Sequence, residues 1–143
     1  MSELYNTEIL RLASDIPFTE RLAAPEVTVR RTSRICGSRL TLDADFEDER
    51  LARLGLEVKA CALGQAAASL AAPRLIGCRY EDVAPVAADF RAMLEGRGEP
   101  PPAPWNDLAI FLPLREHRSR HGSVMLIFEA ALGAFEEAGS ATQ

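Results

Sequence analysis

Hydrophobic residues recur at every second position in three short segments in the first half of the chain. The segments are residues 27–30, 40–46 and 54–60. A period of two puts alternate side chains on opposite faces of a strand. Because the intervening stretches are short, we predict three β-strands joined by hairpins in an antiparallel sheet, with one face buried and one in water.

The rest of the chain has the apolar spacing of helices, in which side chains three and four residues apart share a face. We predict helices over residues 3–13, 62–72, 81–95 and 105–112, and a last helix that starts near residue 123. Pro73 and Pro113 are expected to end two of them, since proline has no N–H to donate. Ser123 is expected to be the N-cap of the last one.

These elements predict an α+β fold in which an N-terminal helix and a three-stranded antiparallel sheet precede a helical C-terminal half packed on the sheet. A length of 143 residues fits a single domain over residues 1–143. Glycine and proline crowd residues 96–104, which we therefore expect to be a loop inside that domain rather than a boundary.

Composition and charge narrow the classes of function. A net charge of −5 argues against non-specific binding of nucleic acid. No stretch approaches the roughly 20 apolar residues of a membrane span, and the N-terminus lacks the pattern of a secretory signal. Three widely spaced cysteines do not suggest a disulfide framework. We expect a cytoplasmic protein with reduced thiols and no membrane or nucleic-acid partner.

Three side chains stand where the backbone pattern changes. Cys36 lies in the first predicted hairpin turn, Cys61 between the third strand and a helix, and His121 just before the last helix. Thiolates and imidazoles bind zinc and iron, and a helix N-terminus favours a thiolate. On spacing alone, the cysteines are better understood as small buried apolar residues and the histidine as a surface residue. Cys78 has no comparable setting.

The order of these motifs resembles the U-type iron–sulfur cluster scaffold proteins, which include IscU, SufU and the N-terminal domain of NifU. Residues 35–38, Ile-Cys-Gly-Ser, are similar to the first Cys-Gly-Asp loop of that family. Residues 58–69 resemble its second motif, in which a cysteine precedes a helix of alanine and serine. Residues 121–126, His-Gly-Ser-Val-Met-Leu, resemble the third motif, which opens the last long helix.

The resemblance implies a protein that is not an enzyme but holds zinc or assembles an iron–sulfur cluster, of the [2Fe–2S] type, at one end of the sheet. It implies Cys36, Cys61 and His121 as the ligands. It also implies a cysteine desulfurase that supplies sulfur and apo-protein clients that receive the cluster.

Two positions depart from the family pattern. Ser38 stands where the family has aspartate, and Gly122 stands where it has a third cysteine. A [2Fe–2S] cluster takes four protein ligands, so the matched set of three is incomplete. The fourth ligand is left open among Glu116, His117, a second subunit of a homo-oligomer and a small thiol.

Two other functions are compatible with the sequence. A degenerate family member could bind a desulfurase, a client or zinc without assembling clusters, as the changes at Ser38 and Gly122 suggest. An enzyme with a Cys61–His121 nucleophile pair is the other alternative, although no catalytic motif supports it.

Overall fold

The computed structural model describes residues 5–139 and has the predicted α+β architecture. One helix precedes a three-stranded sheet, and three helices and two 3₁₀ segments follow it. The elements are α1 (Thr7–Ala13), β1 (Val27–Thr32), β2 (Arg39–Glu47), β3 (Arg50–Lys59), α2 (Ala62–Leu75), α3 (Tyr80–Leu94), the 3₁₀ segments Asn106–Glu116 and Arg118–Arg120, and α4 (His121–Glu137).

The sheet is antiparallel throughout, in the order β1-β2-β3, with the inner face buried against the helices. Leu42 of β2 lies opposite Val29 of β1 and Leu56 of β3, and all three are buried. Asp48 and Glu49 close the β2–β3 hairpin with positive φ angles of 53° and 68°. A two-residue hairpin loop with this backbone matches the right-handed twist of its strands.

The last helix, α4, forms the centre of the core. It packs against α2, α3, β1 and β2, and most of its residues from position 123 to 135 are buried. Phe128 contacts Phe90 and Trp105, and Phe135 contacts Phe46, with ring centroids 5.1–5.6 Å apart. Because α4 is held on several sides, its first turn has a fixed position at one end of the sheet.

A buried carboxylate fixes the α1–β1 loop across the outer face of the sheet. Asp43 accepts hydrogen bonds from Arg21 Nε at 2.6 Å, Arg21 Nη2 at 3.0 Å, the Leu22 N–H at 3.1 Å and Thr28 Oγ1 at 2.6 Å. Burial raises the pKa of Asp43, but these hydrogen bonds outweigh it and the net pKa is lowered. Gly55 lets the loop approach, since a Cβ there would lie 2.9 Å from the Leu22 nitrogen.

Three predicted helix boundaries are wrong. Helix α2 continues through Pro73 to Leu75, a fully buried residue whose packing outweighs one lost backbone hydrogen bond. The segment predicted to end at Pro113 is a 3₁₀ helix that continues to Glu116. Helix α4 begins at His121, so Ser123 lies inside its first turn instead of capping it.

Two further expectations concern the first helix and the proline-rich loop. Helix α1 starts at Thr7 with Asn6 as its N-cap, and the start predicted at residue 3 lies outside the described residues. Residues 96–104 have no helix or strand, and Arg115 donates to the carbonyls of Met93 and Gly98 on either side of the turn. In residues 5–139, no helix is long and apolar enough to cross a membrane.

Candidate thiol site

The β1–β2 turn presents Cys36 at the surface. The Ser33 N–H donates to the Ser38 carbonyl and the Gly37 N–H donates to the Ser33 carbonyl, both at 2.8 Å. Gly37 has a φ of 78°, a conformation that glycine adopts without strain. The turn leaves Cys36 exposed, with its Sγ 3.3 Å from Ser33 Oγ and 3.2 Å from Ser38 Oγ.

Cys61 is the N-cap residue of α2 and is partly buried. Its Sγ lies 3.5 Å from the hydroxyl of Ser123, which belongs to the first turn of α4. Gly64 allows this approach, because a Cβ at position 64 would overlap Ser123 Oγ and lie 2.8 Å from the Ala60 Cβ. The starts of α2 and α4 therefore meet at Cys61.

Buried hydroxyls join the two cysteines into one site. Ser38 Oγ and Ser123 Oγ lie 3.2 Å apart, although the residues are 85 positions apart in the chain. The contacts therefore run from Cys36 to Ser38, to Ser123 and to Cys61. We refer to Cys36, Cys61, Ser33, Ser38 and Ser123 as the thiol site.

Sequence reasoning missed the three serines as members of the site. The sequence motifs present Ser38 only as a departure from aspartate and predict Ser123 as a helix cap, and none of them contains Ser33. Their burial, with 8% of Ser33, 4% of Ser38 and 1% of Ser123 exposed, distinguishes them from ordinary turn serines. The available signal was their position in or near the first and third motifs, which contain Cys36 and His121.

The thiol of Cys36 has a lowered pKa. Burial raises the pKa, but hydrogen bonds from Ser33, Ser38, the Ser38 backbone and Ser123 together lower it below the ordinary value. A thiol has one proton and can donate to one oxygen at a time, whereas a thiolate accepts from several hydroxyls together. The serines therefore favour the form of Cys36 that reacts with electrophiles and binds metals.

A cation lies beside Cys61. Arg120, the residue before α4, hydrogen-bonds the Tyr5 hydroxyl through Nη1. The hydrogen bond to Tyr5 and the interaction with Cys61 raise the pKa of the Arg120 guanidinium. The site thus has a fixed positive charge near one of its two sulfurs.

The structure does not bring His121 together with the cysteines. Its Nε2 lies 2.5 Å from the Leu114 carbonyl oxygen, which can only accept, so Nε2 carries the proton. The ring lines a shallow surface pocket with Glu95, Arg97 and Arg118. Within residues 5–139, the Cys61 thiol contacts the Ser123 hydroxyl and has no hydrogen bond to His121, as a nucleophile pair would need.

Gly122, at the position that the resemblance aligns with a third cysteine, lies against Ser33. A Cβ on Gly122 would lie 2.6 Å from Ser33 Oγ and 3.3 Å from Ser33 Cβ. Such a separation is too short for unbonded atoms, so a side chain at position 122 requires Ser33 to move. Among residues 5–139, no group of three or more His, Cys, Asp or Glu side chains could hold a metal ion.

Cys78 lies apart from the site, in the α2–α3 loop. Its thiol donates to the Arg74 carbonyl at 3.2 Å. Burial, and then the charge of Asp82, raise the pKa of Cys78 despite the opposing effect of Arg50.

A solved structure with the same fold decides the family. The N-terminal part of a nitrogen-fixing NifU-like protein from Brucella abortus is 30% identical in sequence and superposes with a TM-score of 0.92. The match covers 96% of this chain and 96% of that one. The chain belongs to the U-type family of NifU-like N-terminal domains.

A more distant structure shares the fold of this U-type domain. It is a candidate iron–sulfur cluster assembly scaffold protein for the SUF system, from Fervidobacterium islandicum AW-1. Its identity is 16% and its TM-score 0.85, with 94% of this chain and 98% of that chain covered. No protein-family model and no curated protein matches the sequence.

Proposed function

We propose that this U-type domain is an iron–sulfur cluster assembly scaffold or carrier whose cargo binds at Cys36 and Cys61. One observation supports this most strongly: the two thiols come from different elements and meet through the Ser38–Ser123 hydroxyl pair. Its structural neighbours, a NifU-like protein and a candidate scaffold for iron–sulfur cluster assembly, support the same function.

The two thiols have the chemistry that binds an iron–sulfur cluster, and a cluster can reach them from solvent. Iron–sulfur clusters are held by cysteine thiolates, and each thiol releases its proton when its sulfur binds iron. Cys36 is exposed, so an incoming cluster or partner can reach it, and Cys61 is partly accessible. A cysteine desulfurase as sulfur donor and apo-proteins as recipients complete the proposal, with the cytoplasm as its setting.

His121 remains a predicted third ligand. To bind the cargo, its ring must leave the Leu114 carbonyl and turn towards the thiols, at the cost of that hydrogen bond. We therefore expect His121→Ala to retain most of the bound cargo and Cys36→Ala to lose it.

A zinc-binding or partner-binding domain that makes no clusters is the second candidate. It is favoured by Gly122, which supplies no donor atom and lies against the Ser33 hydroxyl, and by the two-sulfur donor set of the site. Zinc in closed structural sites takes four ligands, so this candidate also needs donors from elsewhere.

The metal and sulfide content of anaerobically purified protein separates the candidates. We expect iron with matching acid-labile sulfide in the wild type and in Cys78→Ala, the matched control, and neither in Cys36→Ala/Cys61→Ala. Zinc without sulfide in the wild type would favour the second candidate. Equal iron and sulfide in the wild type and the double variant would refute cargo binding at these thiols.

A further inference from the structure

The α1–β1 loop lies over only part of the outer face of the sheet. It contacts the row in which Thr28, Asp43 and Gly55 face each other across the three strands. Two further rows of outer-face side chains lie between this row and the β1–β2 turn. Their members, of which only Thr41 is buried, are Arg30, Thr41 and Glu57, and then Thr32, Arg39 and Lys59.

These two rows form a small cleft with an excess of positive charge. The cleft is lined by Arg30, Arg39, Thr41, Glu57 and Lys59. Because the lining has more cations than carboxylates, it attracts anions. The cleft has a volume of about 70 Å³, which is room for a few water-sized groups. A single small anion therefore fits it.

The positive charge of the cleft is only partly neutralised. Arg39 lies directly opposite Lys59 in the β2–β3 register, and like charges in such a pair destabilise a sheet. Glu57 offsets part of the repulsion, with its carboxylate 3.6 Å from Lys59 Nζ and 3.4 Å from Arg21 Nη1. Neither Arg30 nor Arg39 forms an ion pair with a carboxylate of residues 5–139. The fold thus holds two arginines with unneutralised charge at one place on the sheet.

The most buried side chain of the cleft has a hydrogen-bond donor to spare. Thr41 is 6% exposed, and its Oγ1 accepts a hydrogen bond from Arg30 Nε at 3.3 Å. A hydroxyl that accepts can also donate its own proton. Within residues 5–139, no group accepts a hydrogen bond from Thr41. Its proton can therefore be donated to an anion in the cleft.

We propose that this cleft binds a tetrahedral oxyanion, the phosphate group of a phosphate monoester or of inorganic phosphate. The site goes beyond the proposed function, since none of its lining residues belongs to the thiol site. Its donors stand on all three strands, with Arg30 on β1, Arg39 and Thr41 on β2, and Lys59 on β3. A tetrahedral anion presents oxygens in several directions to such donors, whereas a carboxylate presents two in one plane.

Titration of isotope-labelled, metal-free protein with inorganic phosphate, followed by amide NMR shifts at constant ionic strength, tests the site. We expect saturable shifts centred on the strand positions that line the cleft, in the wild type and equally in Cys36→Ala/Cys61→Ala. A parallel titration with glycerol phosphate distinguishes the sources, because the tighter of the two identifies a free or an esterified ligand. Shifts that never saturate, or that centre on the starts of α2 and α4, would overturn the proposal.

Acetate tests the class of anion. Its carboxylate stands for the acidic side chains of a partner protein. We expect phosphate to bind at least about tenfold more tightly than acetate, because phosphate has more charge and more oxygens to accept hydrogen bonds. Equal affinity for the two anions would overturn the assignment and favour an acidic protein as the occupant.

Two substitutions test the assigned donors. We expect Arg39→Gln to weaken phosphate binding about tenfold or more, and Thr41→Val, which keeps the branched shape favoured in strands, about threefold. Arg53→Gln is the matched control, because Arg53 is an exposed outer-face arginine of β3 that pairs with Asp45 at 2.6 Å. The amide spectra also show that each variant is folded. Wild-type affinity in Arg39→Gln, or equal weakening by Arg53→Gln, would contradict the site.

Discussion

Cys36 and Cys78 are the same residue type in two regions that give the thiol opposite properties. Cys36 is exposed on a turn, and serine hydroxyls and a backbone N–H hold its pKa below the ordinary value. Cys78 is packed in the α2–α3 loop, where burial and then Asp82 hold its pKa above that value. The difference teaches that hydrogen-bond donors around the sulfur, and not the cysteine itself, prepare a thiolate.

The largest expected effect is the difference between Cys36 and Cys78 in the rate of alkylation by iodoacetamide in the metal-free protein. At neutral pH we expect Cys36 to react at least several-fold faster than Cys78, because its lowered pKa gives a larger thiolate fraction and its sulfur is more exposed. The Cys36 rate should also reach its plateau at lower pH. Peptide mass spectrometry over a pH series gives both rates. Equal rates at every pH would contradict the assigned difference between the two thiol pKa values.

Ser38→Ala should reduce the difference in alkylation rate between Cys36 and Cys78. The substitution removes one hydroxyl 3.2 Å from the Cys36 sulfur and leaves the Ser38 backbone N–H, so the pKa of Cys36 should rise in part. We expect its alkylation at neutral pH to slow by roughly three- to tenfold, as for the loss of one ordinary intramolecular hydrogen bond.

Ser69→Ala is the matched control for that experiment. Ser69 is also buried, but its hydroxyl donates to the Asp15 carbonyl, away from the thiol site. An unchanged Cys36 rate in Ser38→Ala, or the same slowing in Ser69→Ala, would show that the hydroxyl does not set the reactivity.

Asp82→Asn should have the smallest effect of these substitutions, a slight increase in the alkylation rate of Cys78. It removes a negative charge that raises the pKa of Cys78, but burial is the larger cause and remains. Asparagine keeps a side-chain oxygen for the Arg79 N–H at the start of α3. We expect Cys78 to be alkylated less than about threefold faster. Asp89→Asn, on the same helix, is the control, and a large change in either would mean that α3 has shifted.

The strands and the place of both site cysteines follow from the sequence because they depend on local rules. Period-two alternation gave the sheet, and the residues between strands gave the turn that contains Cys36. The change from strand to alanine-rich helix gave Cys61 at a helix start. Each of these inferences needs a stretch of only a few neighbouring residues.

The connection between the cysteines does not follow from local rules. A serine before an apolar run is ordinarily a helix cap, and Ser123 was predicted as one. In the fold, α4 starts two residues earlier and Ser123 faces Ser38 and Cys61. That orientation is set by packing between segments distant in the chain, as is the bond of His121 to Leu114.

The central claim is that Cys36 and Cys61 hold the cargo together. Alkylation of each cysteine, measured by mass spectrometry before and after loading with ferric iron and sulfide, tests it most directly. The account predicts that Cys36 and Cys61 lose reactivity together, in proportion to bound cluster, while Cys78 is unchanged. Full cluster loading with Cys36 or Cys61 still as reactive as in the metal-free protein would contradict the claim.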